Sequence, residues 1–264
     1  MDKNGFLTSE SSDTTWIKPL GRNWKEVTYA AVEGLAVFEG CIILGTVAQA
    51  QADKQSIKDN PGIVQPGAEH FGIGIRGAQF RWKNNIIPYE IDPMLPKPER
   101  VLEAVKHWHD NTPIELVKRN PGDAAHKDFV VFRPGGGCAS AVGRRGGRQE
   151  VILGPGCSAG NCIHEIGHTV GLWHEQSRAD RDKFVSINLA SVQQATRHNF
   201  DQHIADGIDL GVYDYGSIMH YPKDAFSADG KDTIIPKTAG VQIGQREKLS
   251  AGDIAAVLKL INGA

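Results

Sequence analysis

The sequence lacks the features of a membrane-spanning or nucleic-acid-binding protein. No apolar run is long enough to span a membrane, and the longest candidate, residues 35–50, is short and interrupted by Glu39. The 29 lysines and arginines nearly balance the 31 aspartates and glutamates, and neither sign is concentrated in a block. A nucleic-acid-binding surface therefore has no electrostatic basis. We expect a chain with no membrane span and no nucleic-acid partner.

A signal peptide is also missing, because residues 1–5 show no charged stretch followed by an apolar one. This start fits a cytosolic protein, or a secreted precursor whose signal peptide is absent from this chain. Hydrophobic residues make up 40% of the 264 positions, which is enough for one or two domains with a core. Cysteine is scarce, with four residues: Cys41, Cys138, Cys157 and Cys162.

The middle of the chain contains an H-E-x-x-H motif formed by His164, Glu165 and His168. In a helix, the two histidines lie four residues apart on one face and can bind one metal ion together. Glu165 then lies beside the open coordination position, where it can accept a proton from water. Gly171 can adopt positive φ, end the helix and bring in His174 as a third nitrogen ligand. Three histidines with one open position are typical of a catalytic zinc.

The pattern extends beyond these residues. H-E-x-x-H-x-x-G-x-x-H is the long motif of the metzincin metalloproteases. Its continuation from His174 to Asp182, H-E-x-x-R-x-D-R-D, resembles the astacin family of secreted zinc endopeptidases. The resemblance covers about residues 82–261, and the further matching stretches are Ile87-Pro88-Tyr89, Ser217-Ile218-Met219-His220-Tyr221 and Ile243-Gly244-Gln245-Arg246. Another metzincin branch, adamalysin- or matrixin-like, is the alternative, but Arg178 and the tyrosine after Met219 favour the astacin family.

This resemblance implies an α+β, zincin-type catalytic domain. We expect a mixed five-stranded sheet and two long helices in an N-terminal subdomain, residues 72–171, and an irregular C-terminal subdomain with a closing helix, residues 172–264. Residues 1–71 resemble an extended inhibitory pro-segment. A bacterial, myroilysin-like member of the family in its precursor form fits this organisation.

Apolar periodicity places the main elements. The predicted strands are Arg81–Ile91, Ile114–Val117, Phe129–Phe132, Ala139–Val142 and Glu150–Leu153. The predicted helices are Glu99–Asn111, His164–Val170, Ser191–Phe200 and a closing helix after Ser250 as the N-cap.

The predicted pro-segment contains the sequence Phe38-Glu39-Gly40-Cys41. Astacin pro-segments carry F-x-G-D, whose aspartate takes the zinc position that water needs. Here Cys41 stands in the fourth place, and a thiolate is a better zinc ligand than a carboxylate. We hypothesise that Cys41 blocks the zinc in the latent form. The alternatives are a small buried hydrophobic residue and a lipid-attachment cysteine, for which the preceding residues are a poor recognition sequence.

Cys138 and Cys157 flank two strand-like segments and match a disulfide of the family. A disulfide implies an oxidising compartment, so we expect a secreted protein. Both cysteines of a second family disulfide are missing. Cys162 has no family counterpart and is either a buried thiol or a competitor of Cys138 for Cys157.

The resemblance also assigns roles to three further residues. Met219 would form a hydrophobic base beneath the histidines. Tyr221 would be a zinc ligand in the mature free enzyme and would donate a hydrogen bond to the oxyanion during catalysis, unless it is an ordinary packed aromatic residue. Glu175 would pair with a new amino terminus freed near Gly72-Ile73-Gly74, unless it lies on the surface.

The sequence therefore predicts a secreted zinc metalloendopeptidase with one zinc ion per chain, made as a latent zymogen. We expect protein and peptide substrates, an activating protease and a monomeric state. The strand at Ala139–Val142 would pair with an extended substrate. The alternative is a zinc-containing binding or adhesion protein that has lost catalysis, and the presence of Glu165 argues against it.

Overall fold

The computed structural model describes residues 4–17, 25–59, 77–202 and 208–263. Its strands are β1 (Ser12–Ile17), β2 (Lys25–Val32), β3 (Leu35–Phe38), β4 (Ile42–Thr46), β5 (Ile86–Ile91), β6 (Glu115–Lys118), β7 (Phe129–Pro134), β8 (Cys138–Ser140), β9 (Arg148–Leu153), β10 (Val185–Ile187) and β11 (Ile234–Pro236). Its α-helices are α1 (Val47–Asp59), α2 (Glu99–Asn111), α3 (Ala159–Val170) and α4 (Ala251–Ile261).

One sheet runs through most of these strands in the order β1-β2-β3-β4-β8-β9-β7-β5-β6. Strands β5 to β9 form the mixed five-stranded part that the sequence predicts. Here β5 is parallel to β6 and β7, β7 is parallel to β9, and β8 is antiparallel to β9. Helices α2 and α3 contact each other and share one hydrophobic core with this part of the sheet. The predicted α+β architecture is confirmed.

The described residues before position 60 form a folded unit and not an extended segment, so this part of the prediction is wrong. The described residues 4–17 and 25–59, here called the N-terminal segment, contain four antiparallel-paired strands and α1. A two-residue turn at Glu33-Gly34 joins β2 to β3, where Val32 pairs with Leu35. In β2, Val27 and Tyr29 are buried and alternate with less buried residues, so the strand hides one face. Burial of that face stabilises a folded segment over an extended one.

The N-terminal segment continues the mixed five-stranded part of the sheet, β5 to β9. Strand β4 pairs in parallel with β8 through Ile42 and Ser140. The Ser140 N–H donates to the Cys41 carbonyl at 2.9 Å, and the Cys138 N–H donates to the Gly5 carbonyl at 3.1 Å. The strand that was predicted to pair with substrate is therefore covered by the chain's own N-terminal segment.

Several predicted elements have different bounds in the structure. Helix α2 spans the predicted residues, and the Ser250 hydroxyl accepts from the Asp253 N–H to cap α4 as predicted. Strand β5 begins only at Ile86, because Asn84 and Asn85 have positive φ, which asparagine tolerates and a strand does not. The predicted helix at residues 191–200 is a 3₁₀ helix, Gln194–Phe200.

The C-terminal half is mostly irregular, as predicted. After α3, the described residues form short 3₁₀ helices and the small β10–β11 pair before α4 begins. The predicted boundary at residues 71 and 72, and the predicted new amino terminus at Gly72-Ile73-Gly74, lie outside the described residues. Among the described helices, none has the length and apolar character needed to cross a membrane.

A disulfide joins Cys138, at the start of β8, to Cys157, just before α3. We expect the double variant Cys138→Ala/Cys157→Ala to lower the free energy of unfolding by about 3 kcal/mol, because the crosslink restricts the unfolded chain over a loop of 19 residues. Urea denaturation under oxidising conditions measures this change. Cys162→Ala is the control, since Cys162 is buried but free. A double variant that unfolds at the wild-type urea concentration would contradict the expectation.

Candidate active site and metal centre

Helix α3 presents His164, Glu165 and His168 on its buried side. The helix begins at Ser158, whose hydroxyl accepts from the Asn161 N–H while the Asn161 side chain accepts from the Ser158 N–H. It ends at Gly171, which has φ 121°, and the Leu172 N–H turns back to the Gly167 carbonyl at 2.9 Å. This is the turn that the sequence predicts.

Beyond that turn, His174 joins the two helical histidines around one point. The Cys41 Sγ lies 3.8 Å from the Nε2 atom of His164, 3.4 Å from that of His168 and 3.1 Å from that of His174. All four residues are buried. Zn–S and Zn–N bonds of about 2.3 and 2.05 Å at tetrahedral angles would set sulfur and nitrogen about 3.5 Å apart. The observed spacing therefore fits a four-coordinate zinc ion.

The outer nitrogens of the three rings all have hydrogen-bond partners. The Nδ1 atom of His164 lies 2.9 Å from the Ile218 carbonyl, and the Nδ1 atom of His168 lies 2.8 Å from the Leu172 carbonyl. In His174 it lies 2.7 Å from the Glu39 carboxylate. Since these partners are acceptors, each Nδ1 carries the hydrogen and each Nε2 keeps its lone pair. Three lone pairs thus converge on one point, which is the arrangement of metal ligands.

Burial also keeps the helical histidines in the form that binds metals. It lowers the pKa of His164 and His168 well below the usual range, and the neighbouring positive charge of Arg246 adds to this effect at His164. Both rings are therefore neutral at physiological pH. Neutral imidazole is the form that donates to a metal.

Glu165 is buried on the same helix. Burial raises its pKa well above the usual range, while the charge of Arg246 opposes that rise. Its Oε2 atom is buried with no hydrogen-bond partner among the described residues. A buried carboxylate oxygen without a partner is unfavourable for stability and is common where a group is kept for chemistry. This arrangement suits a proton acceptor.

The stretch Phe38-Glu39-Gly40-Cys41 connects β3 to β4 and delivers Cys41 to the histidines. Phe38 packs edge-on against Trp173, with ring centroids 6.1 Å apart. Glu39 and Gly40 both have positive φ, 47° and 70°. A Cβ atom at Gly40 would come within 2.7 Å of the Phe226 ring. The turn is thus held by the aromatic side chains of Trp173 and Phe226, which both follow α3.

Glu39 is the residue of this site that the sequence analysis missed. Its carboxylate contacts the His174 Nδ1–H and accepts from the Ser177 hydroxyl at 3.1 Å, and its side chain is fully buried. The sequence noted Glu39 only as an interruption of an apolar run. A single acidic residue between buried apolar ones was itself the signal, because a buried carboxylate requires hydrogen-bond donors.

Tyr221 and Met219 lie against the metal centre from the other side. The Tyr221 hydroxyl donates to the Glu39 carbonyl at 2.6 Å, so in this structure it is engaged by the N-terminal segment. Met219 lies beneath α3, and a Cβ at Gly167 would approach its sulfur to 2.7 Å. Met219 is buried against the helix that carries two of the histidines, and its role as their hydrophobic base stays a prediction.

Arg246 supports the backbone at residues 218–220. In the sequence it stood out only as part of a stretch that resembles the astacin family. Its Nη1 donates to the Ile218 carbonyl at 2.7 Å and to the His220 carbonyl at 2.9 Å. Ile218 is the residue whose carbonyl also contacts His164. Arg246 therefore fixes a backbone segment that orients a candidate ligand.

Glu175 follows His174 and is largely buried. It accepts from the Asp214 N–H at 2.8 Å, and the Arg178 guanidinium lies 3.6 Å away. A pocket opens beside it, lined among others by Leu172, Trp173, Leu210, Asp214, Met219 and Ala256. The surface alternative for Glu175 is wrong. The amino terminus that was predicted to pair with it lies outside the described residues.

The profile of the peptidase family described as Astacin matches residues 75–262. The chain belongs to the astacin family. It is 42% identical over 200 residues to the zinc metalloproteinase nas-13 of Caenorhabditis elegans, and the match covers 73% of this chain but 44% of that relative. The chain thus spans less than half of that protein. The predicted family is confirmed, and the relatives that match include named zinc metalloproteinases.

Solved structures agree with this assignment. The structure of high choriolytic enzyme 1, a hatching enzyme zinc-protease from the medaka fish Oryzias latipes, matches with a TM-score of 0.62 and 36% identity, over 72% of this chain and 94% of that one. Myroilysin matches with a TM-score of 0.50 and 19% identity, over 69% of this chain and 96% of that one. The likeness to myroilysin supports the fold alone, so a bacterial, myroilysin-like origin stays a prediction.

The buried position of Glu175 predicts a pH-dependent stability. Burial raises its pKa to about 8, from 4.5 in an unfolded chain. Between these values the folded protein keeps a proton that the unfolded chain releases, so this group lowers stability as the pH rises from about 4.5 to about 8. Glu175→Gln removes the titration and should flatten this part of the profile. Urea unfolding at stepped pH measures it, with Glu103→Gln on exposed α2 as the control. An identical slope in Glu175→Gln and wild type would contradict the assignment.

Proposed function

We propose that this chain is the latent precursor of a secreted zinc metalloendopeptidase, in which Cys41 blocks the metal centre. The observation that carries the proposal is the Cys41 sulfur, which lies 3.1 to 3.8 Å from three histidine Nε2 atoms. Residues 1–71 act as the pro-segment and residues 72–264 as the catalytic domain.

The catalytic roles follow from the positions of the side chains. His164, His168 and His174 hold one zinc ion per chain, and Cys41 is the fourth ligand of the latent form. When bound, zinc lowers the pKa of water and polarises the carbonyl of a peptide substrate. Glu165 accepts a proton from the attacking water and returns one to the leaving amine. Tyr221, once released from Glu39, is a further ligand in the free mature enzyme and donates to the oxyanion in the reaction.

Contacts on the sheet, as well as the blocked metal centre, keep the precursor inactive. Strand β4 lies on β8, and Phe6 stacks on Phe226 with ring centroids 4.6 Å apart and tilts against Tyr221 at 4.9 Å. These contacts cover the sheet edge at which an extended protein or peptide substrate would pair. Removal of the pro-segment is needed to free it.

Activation then requires a cut by another protease near Gly72-Ile73-Gly74. The pocket beside Glu175 is suited to receive the new amino terminus, because a buried ammonium group needs a carboxylate partner. The Cys138–Cys157 disulfide supports secretion, since such bonds persist in oxidising compartments. The domain acts as a monomer.

Glu165→Gln separates an enzyme from a zinc-containing binding protein. In processed protein we expect the variant to lose about 10²- to 10⁴-fold in casein-cleaving activity, because it removes the proton acceptor. Its zinc content should stay at the wild-type value, because Glu165 is not a ligand.

Casein cleavage with and without a chelator, together with metal analysis, measures both quantities. Glu103→Gln is the matched control on the exposed side of α2. Undiminished cleavage by Glu165→Gln would refute the role of Glu165. A wild-type protein that binds zinc and cleaves nothing after processing would favour the binding-protein alternative.

Cys41→Ala tests the blocking ligand. The intact variant precursor should cleave casein or process itself faster than the wild-type precursor, which should be silent, because the fourth zinc position is no longer occupied by sulfur. Cys162→Ala is the matched control, since Cys162 is also buried and lies outside the disulfide. Gel analysis of the precursors over time provides the measurement. A Cys41→Ala precursor that stays as silent as wild type would argue against the cysteine switch.

A further inference from the structure

Glu39 has a set of contacts that blocking the metal centre does not require. Its carboxylate receives hydrogen bonds from the His174 ring at 2.7 Å and from the Ser177 hydroxyl at 3.1 Å. Its backbone carbonyl accepts a hydrogen bond from the Tyr221 hydroxyl at 2.6 Å. Both side chains of the Glu39–His174 pair are fully buried. A carboxylate in such a position is retained only where donors compensate for its lost hydration.

The backbone at Glu39 points to a selected conformation. Glutamate rarely adopts positive φ, and such residues persist where the surrounding structure holds them. Glu39 and the next residue, Gly40, both have positive φ. This turn of the backbone places Glu39 and Cys41 on either side of the His174 ring. The Cys41 sulfur lies 3.1 Å from the His174 Nε2, and the Glu39 carboxylate lies 2.7 Å from its Nδ1. The N-terminal segment thus contacts both nitrogens of one candidate ligand.

His174 differs in this respect from the other two histidines. The Nδ1 atoms of His164 and His168 lie against carbonyls of Ile218 and Leu172, which stay with the catalytic domain after processing. The carboxylate at His174 comes from the segment that processing removes. A carboxylate on the outer nitrogen fixes the orientation of a ligating imidazole and makes it a stronger donor than a carbonyl does.

We propose that Glu39 is a positioning residue for the metal centre, supplied by the pro-segment, and that it makes the precursor hold its zinc more tightly than the processed protease. This inference rests on the proposed function. Processing would withdraw Cys41 from the inner side of His174 and Glu39 from its outer side in one event. Latency and metal retention are then two effects of the same four-residue stretch.

Zinc release from the full-length precursor tests this role without reference to activity. The zinc-loaded precursor is mixed with excess 4-(2-pyridylazo)resorcinol, whose colour reports the released metal. We expect release to be about 10-fold faster in Glu39→Gln, which keeps an acceptor but loses the charge, and up to about 100-fold faster in Glu39→Ala. Glu26→Gln, the same change at an exposed position of β2, should release zinc at the wild-type rate. Wild-type release rates in both Glu39 variants would overturn the inference.

The result also separates this inference from the proposed function. If Cys41→Ala speeds release and the Glu39 variants do not, the cysteine switch stands and the role of Glu39 is rejected. If the wild-type precursor takes up no zinc, both fail.

Ser177→Ala provides a second variant in case the Glu39 variants do not fold. It removes one donor to the Glu39 carboxylate and leaves the pro-segment sequence unchanged. We expect release to become several-fold faster in the precursor and to be unchanged in the processed protein, where Glu39 is absent. Equal acceleration in both forms would show that Ser177 acts independently of Glu39 and would overturn the inference.

Discussion

The convergence of three imidazole nitrogens and one sulfur on a single buried point is the constraint on which this structure depends. Cys41 lies 123 residues or more from each histidine in the sequence, yet all four donor atoms lie within 4.8 Å of one another. A metal cation between them would satisfy all four lone pairs. The capped start of α3, the turn at Gly171 and the carbonyls behind His164 and His168 all fix these rings. These contacts therefore orient the candidate ligands.

The N-terminal segment shares a hydrophobic cluster and a β-sheet with the rest of the described chain. One hydrophobic cluster contains residues from both regions. The N-terminal segment contributes Phe6, Phe38 and Cys41, and the chain after α3 contributes Trp173, Tyr221 and Phe226. Strand β4 continues the sheet beyond β8, the edge of the five-stranded part formed by β5 to β9. Release of this segment would expose aromatic surface and a sheet edge together, and both are suited to binding an extended polypeptide. The surface that holds the segment in this structure is thus the surface that the proposed protease would offer to its substrates.

Features set by spacing within a short stretch of chain could be predicted from the sequence, whereas features set by contacts between distant residues could not. Spacing along one helix placed His164, Glu165 and His168, and the need for positive φ at Gly171 placed the turn to His174. The strands of the N-terminal segment were missed, although Val27 and Tyr29 alternate with less buried residues, because the family resemblance begins only near Trp82. The role of Glu39 could not be read from spacing, since its partners His174 and Ser177 lie 135 and 138 residues away.

By itself the sequence predicted the α+β class and the candidate ligand set of three histidines, while it left alternatives open for Cys41 and for the partner of Cys157. These features depend on helical periodicity, on the backbone freedom of glycine and on motifs that lie within short stretches. The tertiary structure alone decided that the N-terminal segment extends the sheet, that Tyr221 donates to Glu39 and that a carboxylate of this segment contacts His174. Those contacts join residues about a hundred or more positions apart, and packing sets such distances where local chain geometry cannot.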